Sequence, residues 1–121
     1  MDEGLGALLG IEVVRSDDDG AVIELMADER HLNGHGTVHG GAIATLVDSA
    51  MGLAVYRDGT APVTVEMKVT YLEPGRKGRL RAEAKVRKRG KRIMIAEVDV
   101  TDGDGDAVAH GIGTFTLVDA G

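Results

Sequence analysis

The sequence predicts an α+β fold in which one long central helix is wrapped by a curved antiparallel β-sheet. Apolar residues recur at three- and four-residue spacing over residues 40–57, which is the pattern of a helix packed on a core. Four strand-like segments follow, separated by turns that contain glycine or proline. The chain has 121 residues, so we expect a single domain, residues 1–121, that buries roughly two-thirds of its unfolded surface.

The segment before the long helix predicts a short helix and a hairpin. Three leucines and a following glycine cap predict the helix: Leu5, Leu8, Leu9 and Gly10. Strands at residues 11–15 and 21–26 flank the sequence Asp17-Asp18-Asp19-Gly20, which is a typical hairpin turn.

The segment after the long helix predicts four further strands, at residues 63–72, 79–88, 91–101 and 107–118. Alternation in the first of them predicts that five side chains share one face: Val63, Val65, Met67, Val69 and Tyr71. Turn signals at Pro74-Gly75, at Arg89-Gly90 and at residues 102–106 predict that each strand forms an antiparallel hairpin with the next.

Composition excludes several classes of chemistry. The absence of cysteine excludes disulfides, thiolate catalysis and cysteine-ligated zinc. The first ten residues lack the features of a signal peptide, and no apolar run approaches the length of about 18 residues that a membrane span needs. We therefore expect a cytoplasmic protein that does not enter a membrane.

Charge is unevenly distributed along the chain. The net charge is −6, yet ten of the 14 lysines and arginines fall within residues 76–92, where Glu83 is the one acid. A local basic field on an acidic protein indicates a compact polyanionic ligand. The alternative is a solvated hairpin face that discourages aggregation. Nucleic acid is not expected, because Tyr71 is the one aromatic residue near this window and bases need stacking partners.

The start of the long helix has the chemistry of an oxyanion site. A glycine-rich loop precedes it, and Gly40 and Gly41 fall at its first positions. The first backbone N–H groups of a helix have no internal partner and carry the positive end of the dipole. Glycines there leave room for a substrate oxygen to approach those groups.

Asp48 is the candidate acid of this helix. Its neighbours on the helix surface are mostly small, so a substrate or a partner helix can come close. An exposed, merely solvated Asp is the equally good alternative. Eight residues of helix separate Gly40 from Asp48, a rise of about 12 Å. If both act on one carbonyl, a second subunit must bring its own Asp48, so catalysis would require a dimer.

Other motifs carry weaker signals. The spacing of His31, His35 and His39 invites a metal, but the glycines between them break the helix that such spacing needs, and we expect no metal ligand. The acidic run over residues 102–106 lacks the glycine order and the final glutamate of a calcium loop, so a hairpin turn is expected there. Neither serine lies in a nucleophile elbow, which leaves a carboxylate to perform any hydrolysis.

The run from Asn33 to Asp48 and the later segment of residues 63–74, Val-Thr-Val-Glu-Met-Lys-Val-Thr-Tyr-Leu-Glu-Pro, resemble hotdog-fold acyl-CoA thioesterases of the phenylacetate-degradation type. The likeness covers nearly the whole chain, from the short leading helix to the closing strand. It implies the hotdog fold, hydrolysis of an acyl-CoA without a cofactor, and a homodimer, with tetramers common in the family. The acyl group and the tetramer arrangement stay open.

The resemblance also implies a role for particular residues. Asn33, Gly40 and Asp48 would form the site, with Asp48 supplied by the opposite subunit as general base or nucleophile. His39 would line the site, and Thr64 would lie near the attacking water. Asn33 before Gly34 and Thr64 on a strand also have ordinary structural explanations. We expect the acyl-CoA to contact the second helix glycine and five basic side chains: Gly41, Arg76, Lys77, Arg89, Lys91 and Arg92.

Two other functions remain open at this point. A hotdog hydratase or dehydratase acting on an enoyl or hydroxyacyl thioester would use His39 with Asp48. A non-catalytic acyl-CoA-binding module would have the same fold but would not convert the bound thioester. The pairing of Asn33 with the His39-Gly40-Gly41 sequence matches the thioesterases better.

Overall fold

The computed structural model describes residues 4–18 and 20–120, and Asp19 of the predicted first turn lies outside them. Two helices, α1 (Gly4–Leu9) and α2 (Gly40–Val55), and a 3₁₀ turn at Glu29–His31 accompany six strands. The strands are β1 (Ile11–Ser16), β2 (Gly20–Ala27), β3 (Thr60–Tyr71), β4 (Gly78–Arg89), β5 (Met94–Thr101) and β6 (Ala107–Asp119).

The six strands form one antiparallel sheet in the order β1-β2-β4-β5-β6-β3, and α2 packs on one face of it. The core lies between them and is aliphatic apart from Phe115. The predicted α+β architecture, with one long helix on an antiparallel sheet, is confirmed. Strands β1 and β3 are the two edges of the sheet.

Two glycines let α2 lie close against β6. A Cβ atom on Gly111 would stand 2.4 Å from a methyl carbon of Val47, and one on Gly113 would stand 2.8 Å from the terminal carbon of Met51. Both distances are too short for any side chain, so the helix occupies the space that the two glycines leave empty. This packing fixes the height of the middle of α2 above the sheet.

The expectation of consecutive hairpins is wrong at Pro74-Gly75. Strand β3 pairs with β6, and β4 pairs with β2, so the chain crosses from the edge of the sheet to its interior between β3 and β4. The connection passes the start of α2, where the Gly75 carbonyl accepts the Val38 N–H at 2.8 Å. A turn signal is local, whereas the choice of partner strand depends on residues far away in sequence.

The expected single face of β3 is also wrong. A bulge lies between Thr64 and Glu66, so Thr64 pairs with Phe115 while Met67 pairs with Gly113. Residues paired across an antiparallel sheet share a face, and Phe115 and Gly113 both face α2. Thr64 therefore points toward the helix together with Met67, Val69 and Tyr71, and Val63 points away from it. One extra residue in the strand reverses the alternation.

The boundaries of the other elements follow the sequence within a few residues. The short first helix is confirmed, and Gly10 follows it with a φ of +82°. Helix α2 ends at Val55, two residues earlier than expected, and Tyr56 is its C-cap. Strand β5 begins at Met94 because the Gly90 N–H donates to the Ile93 carbonyl and closes the preceding turn. Neither helix in the described part of the chain is long and apolar enough to cross a membrane.

Candidate active site

A hydroxyl group on the sheet donates a hydrogen bond to the Asp48 carboxylate. It lies in the middle of α2, is half-buried, and accepts a hydrogen bond from Thr64, with 2.6 Å between Oγ1 and Oδ1. The bulge in β3 is what turns Thr64 toward the helix, so this contact depends on the register of an edge strand. The second carboxylate oxygen of Asp48 remains available to a water molecule or a substrate.

A cleft of about 280 Å³ opens beside this pair. Its lining combines the two polar residues with a mainly apolar wall: Asp48, Thr64, Ser49, Gly52, Leu53, Tyr56, Pro62 and Phe115. A carboxylate at the mouth of an apolar cleft is placed to act on a group whose remainder is hydrophobic. Asp48 is intermediate in burial, and its part in catalysis stays a prediction.

The start of α2 presents a backbone N–H group outward. The His39 carbonyl accepts the N–H groups of Ala42 and Ile43, and the His39 Nδ1 atom accepts the Gly41 N–H at 2.9 Å. Within residues 4–18 and 20–120, no acceptor bonds the N–H of Gly40. The first turn of α2 therefore offers one free donor at the positive end of the helix dipole. The Gly41 N–H is directed at His39, and a contact between Gly41 and substrate stays a prediction.

Asn33 closes the loop before the helix. Its Oδ1 atom accepts the N–H groups of His35 and Thr37, at 2.8 and 3.2 Å, and its Nδ2 atom donates to Thr37 Oγ1 at 2.8 Å. Both polar atoms of the side chain are thus engaged within the loop. A direct contact between Asn33 and substrate or water stays a prediction.

The loop histidines have separate surroundings. His31 is buried; its Nδ1 accepts the Asp28 N–H at 2.9 Å and its Nε2 donates to the Leu9 carbonyl at 2.7 Å, which ties α1 to the loop. His35 is exposed, and His39 caps α2. In the part of the chain that the structure describes, the one group of acids and histidines close enough to share a metal is Asp102, Asp104 and Asp106.

Those three aspartates form the turn between β5 and β6. The Asp102 Oδ1 atom accepts the N–H groups of Asp104 and Asp106, at 2.9 and 3.0 Å. Gly105 has a φ of +84°, which is the conformation that the turn requires of it. The hairpin turn that the sequence predicts at these residues is confirmed.

His110 belongs to a polar cluster on the sheet face away from α2. Its Nε2 donates to Glu97 Oε2 at 2.9 Å, and Arg87 bonds the other carboxylate oxygen at 2.5 Å. The hydrogen bond from Arg87, followed by that from His110, holds the pKa of Glu97 below its ordinary value. This cluster therefore lies on the opposite face of the sheet from Asp48 and Thr64.

Some of the basic residues form hydrogen bonds or ion pairs, and others form none with the described residues. Lys77 pairs with Glu29, and Arg81 pairs with Glu24 at 3.2 Å. Arg89 donates to the carbonyls of Val55 and Ala54 at 3.1 and 3.2 Å and so caps the C-terminus of α2, where burial lowers the pKa of its guanidinium. Three of the expected ligand residues have no hydrogen-bond or ion-pair partner among the described residues: Arg76, Lys91 and Arg92.

The basic window is not one patch. Gly75, next to Arg76, packs against Val38 and Ile43 at the start of α2, whereas Arg89 bonds the last carbonyls of the same helix. The 16 residues of α2 span about 24 Å, so these two groups of basic residues lie at its opposite ends.

One contact to the start of α2 is absent from the sequence-based predictions. The Tyr71 hydroxyl donates to the Gly40 carbonyl at 2.7 Å. Alternation placed Tyr71 on the same face as Met67 and Val69 but gave no indication of which helix residue it reaches. That contact depends on how far β3 extends past the first turn of α2.

Comparison with known proteins identifies the family. Residues 35–109 match the thioesterase superfamily model. The chain is 38% identical over 94 residues to human acyl-coenzyme A thioesterase 13, covering 74% of this chain and 67% of that protein. It is 32% identical over 102 residues to the acyl-coenzyme A thioesterase PaaI of Escherichia coli, covering 84% and 73% of the two chains.

Solved structures agree with this assignment. The structure of E. coli PaaI superposes with a TM-score of 0.88 at 30% identity, covering 93% of this chain and 83% of that one. A Streptococcus pneumoniae hypothetical thioesterase, solved with coenzyme A, superposes with a TM-score of 0.85 at 26% identity, covering 91% and 90%. The fold, the helix start and the matched family model lead to one conclusion: this chain is a member of the thioesterase superfamily and has its hotdog fold.

Proposed function

We propose that this protein is an acyl-CoA thioesterase, which hydrolyses an acyl-CoA to a free acid and CoA. The observation that carries the proposal is the hydrogen bond from Thr64 to Asp48 at the mouth of an apolar cleft. The free N–H of Gly40 supplies the matching electrophilic group. Human acyl-coenzyme A thioesterase 13 and E. coli PaaI, both relatives of this chain, support the choice of acyl-CoA as substrate.

The chemistry follows from these two groups. The Gly40 N–H would donate to the thioester oxygen, whose negative charge grows as the carbonyl carbon becomes tetrahedral. With Asp48 as general base, water loses a proton to the carboxylate while its oxygen bonds the carbonyl carbon. The carbon–sulfur bond then breaks, and that proton passes to the departing CoA thiolate. With Asp48 as nucleophile, its carboxylate oxygen bonds the carbonyl carbon and the carbon–sulfur bond breaks, which gives a mixed anhydride and CoA thiolate. Water then hydrolyses the anhydride to the free acid and the Asp48 carboxylate, and the proton released from water passes to the thiolate.

The site requires two copies of the chain. Because Gly40 and Asp48 are about 12 Å apart along α2, one carbonyl cannot contact both in a single subunit. Strand β3 is a free edge of 12 residues, and Val63 and Val65 on it are 46% and 56% exposed. A long apolar edge strand is a template for pairing with another strand. We infer a homodimer in which Asp48 of the partner subunit faces Gly40.

The contacts of β3 support a position for the two-fold axis of the proposed dimer. Thr64 holds Asp48, and Tyr71 holds Gly40. When two β3 strands pair antiparallel, Asp48 of the partner subunit approaches Gly40 only if Thr64 of the partner subunit approaches Tyr71. The midpoint between these positions falls at Met67 and Lys68, so the axis passes there. A tetramer would require a second interface, which remains an expectation from the family resemblance.

The phosphates of CoA would bind to the basic side chains that have no partner among the described residues. Arg76 lies near the start of α2, and Lys91 and Arg92 lie on the turn between β4 and β5. Arg89 and Lys77 stay candidate ligands, although each already bonds another group. The S. pneumoniae protein solved with coenzyme A supports a CoA ligand in this fold.

The test of the function is thiol release from a panel of aryl and aliphatic acyl-CoAs, with the enoyl-thioester absorbance followed in the same samples. A thioesterase releases thiol from saturated acyl-CoAs. It neither forms nor removes the enoyl double bond, so the enoyl absorbance does not change unless thiol is released. A change of enoyl absorbance without thiol would instead indicate a hydratase or dehydratase. Binding without either change would indicate an acyl-CoA-binding module.

A further inference from the structure

Tyr71 covers the glycine at the start of α2. Its hydroxyl donates to the Gly40 carbonyl at 2.7 Å, between residues that are 31 positions apart in sequence. A Cβ atom on Gly40 would stand 3.4 Å from the hydroxyl oxygen and 3.6 Å from a ring carbon of Tyr71. A Cβ atom at this position would meet the tyrosine at ordinary van der Waals distance, so the ring lies directly beside Gly40.

Two hydrogen bonds hold the peptide unit between Gly40 and Gly41, one on each side. The carbonyl of Gly40 and the N–H of Gly41 belong to the same planar peptide group. Tyr71 bonds the carbonyl from strand β3, and the His39 Nδ1 atom bonds the N–H from the loop at 2.9 Å. Two successive glycines at a helix start would otherwise be free to leave helical geometry, because glycine has the widest choice of backbone angles.

The preceding peptide is also held. The N–H of His39 donates to the His31 carbonyl at 2.7 Å, and the His39 carbonyl accepts the N–H groups of Ala42 and Ile43. The N–H of Gly40 shares one planar peptide group with the His39 carbonyl, and it has no acceptor of its own in the described ranges. Its direction is set on one side by the bonds to the His39 carbonyl and on the other side, through the Cα of Gly40, by the peptide that Tyr71 bonds; the bond from Tyr71 is the contribution of the sheet.

We propose that Tyr71 is a positioning residue for hydrolysis, which acts by aligning the Gly40 N–H with the oxygen of the substrate carbonyl. The proposal rests on the proposed thioesterase function. Tyr71 itself bonds the backbone and does not touch the reacting carbonyl. Because Thr64 on the same strand bonds Asp48, β3 positions both the acid and the oxyanion donor. Pairing of two β3 strands in the dimer would bring the acid of one subunit opposite the donor of the other.

The test is the Tyr71→Phe variant, which keeps the ring and removes the hydroxyl. An oxyanion contact strengthens only in the transition state, so kcat should fall while KM stays unchanged. We expect a fall of about three- to tenfold, the size of one ordinary hydrogen bond. The fall should be equal for an acyl-CoA and for the corresponding N-acetylcysteamine thioester, because both present the same carbonyl.

Thr70→Val is the matched control. It removes a hydroxyl from the neighbouring position of the same strand, on the face that points away from α2, and its kcat should equal that of the wild type. An unchanged kcat in Tyr71→Phe would overturn the proposal. A rise of KM confined to the acyl-CoA would also overturn it, since Tyr71 would then contact the CoA moiety.

A second measurement tests the hydrogen bond without any activity. In ¹H–¹⁵N spectra, the amide signal of Gly41 should shift and its hydrogen exchange should accelerate in Tyr71→Phe, while Gly105 in the distant hairpin turn stays unchanged. An unshifted Gly41 signal would overturn the proposal. If the wild-type protein releases no thiol from any acyl-CoA, the proposed function fails, and that result is distinct from a failure of the Tyr71 variant.

Discussion

Thr64 on β3 and Asp48 on α2 are joined by a hydrogen bond of 2.6 Å, and a bulge in the strand creates it. If β3 paired with β6 regularly, with no bulge, Val65 would lie opposite Phe115 and face the helix in place of Thr64. The carboxylate would then face an apolar methyl group. A local irregularity of an edge strand thus decides whether the acid has a partner.

Removing the Thr64 hydroxyl should lower the catalytic rate while leaving the Asp48 carboxylate in the site. For Thr64→Val we expect kcat to fall about tenfold, because one hydrogen bond to a charged group is lost and 1.4 kcal/mol is a factor of ten. Thr116→Val, which changes a threonine of the neighbouring strand on the opposite face, is the control. Steady-state thiol release measures both variants, and equal rates would mean that Thr64 plays no part in catalysis.

Asp48→Asn should preserve the fold and lower kcat by at least about a hundredfold, the usual contribution of a positioned base. Asn33→Ala should cost less, because its contacts lie within the loop. Asp99→Asn changes an exposed acid of β5 and should behave as the wild type. Circular dichroism would establish that each variant is folded. Wild-type turnover in Asp48→Asn would remove this residue from the mechanism.

The dimer proposal predicts a specific cross-link. The chain has no cysteine, so a single cysteine reports on its own position. Lys68→Cys should form a disulfide-linked dimer under oxidising conditions, because Lys68 lies where the two-fold axis would pass. Lys85→Cys should stay monomeric on a non-reducing gel, since β4 is paired on both sides by β2 and β5. A wild-type monomer by light scattering, with no cross-link at position 68, would contradict the dimer.

The free basic residues predict a salt effect that depends on the substrate. Charge reversal of Lys91 and Arg92 to glutamate should raise KM for an acyl-CoA with little change in kcat. Raising the salt concentration from about 50 to 500 mM should act likewise, since screening shortens the reach of exposed charges to about 4 Å. An N-acetylcysteamine thioester lacks the CoA phosphates and should respond to neither change. Equal sensitivity of both substrates would show that these residues form only a solvated face.

Arg89 should matter for stability as well. Arg89→Ala removes two hydrogen bonds from the last carbonyls of α2 and a positive charge from the negative end of its dipole. We expect a loss of about 1 kcal/mol in the free energy of unfolding, measured by urea denaturation. The control is Lys88→Ala, an exposed neighbour. An unfolding midpoint equal to that of the wild type would mean that the cap contributes nothing.

Local pattern was sufficient for much of this protein. The helix period over residues 40–57 and the glycines at its start are properties of neighbouring residues, so the helix and its free N–H were predictable from sequence. The rise per residue of a helix was enough to separate Asp48 from Gly40 and to predict that a site using both residues would need a second subunit. The hairpin turn at residues 102–106 was equally local, since its hydrogen bonds join residues that are two to four positions apart.

Tertiary structure decided everything that depends on distant partners. Strand pairing placed β3 beside β6 in place of β4, because hydrogen bonds between strands join backbone groups whatever their separation in sequence. The bulge that turns Thr64 to Asp48 and the reach of Tyr71 to Gly40 follow from that pairing, whereas the capping of α2 by Arg89 follows from the position of β4 between β2 and β5. The same basic residues that are neighbours in sequence lie at opposite ends of one helix, since strands carry a chain across the whole domain within a few residues.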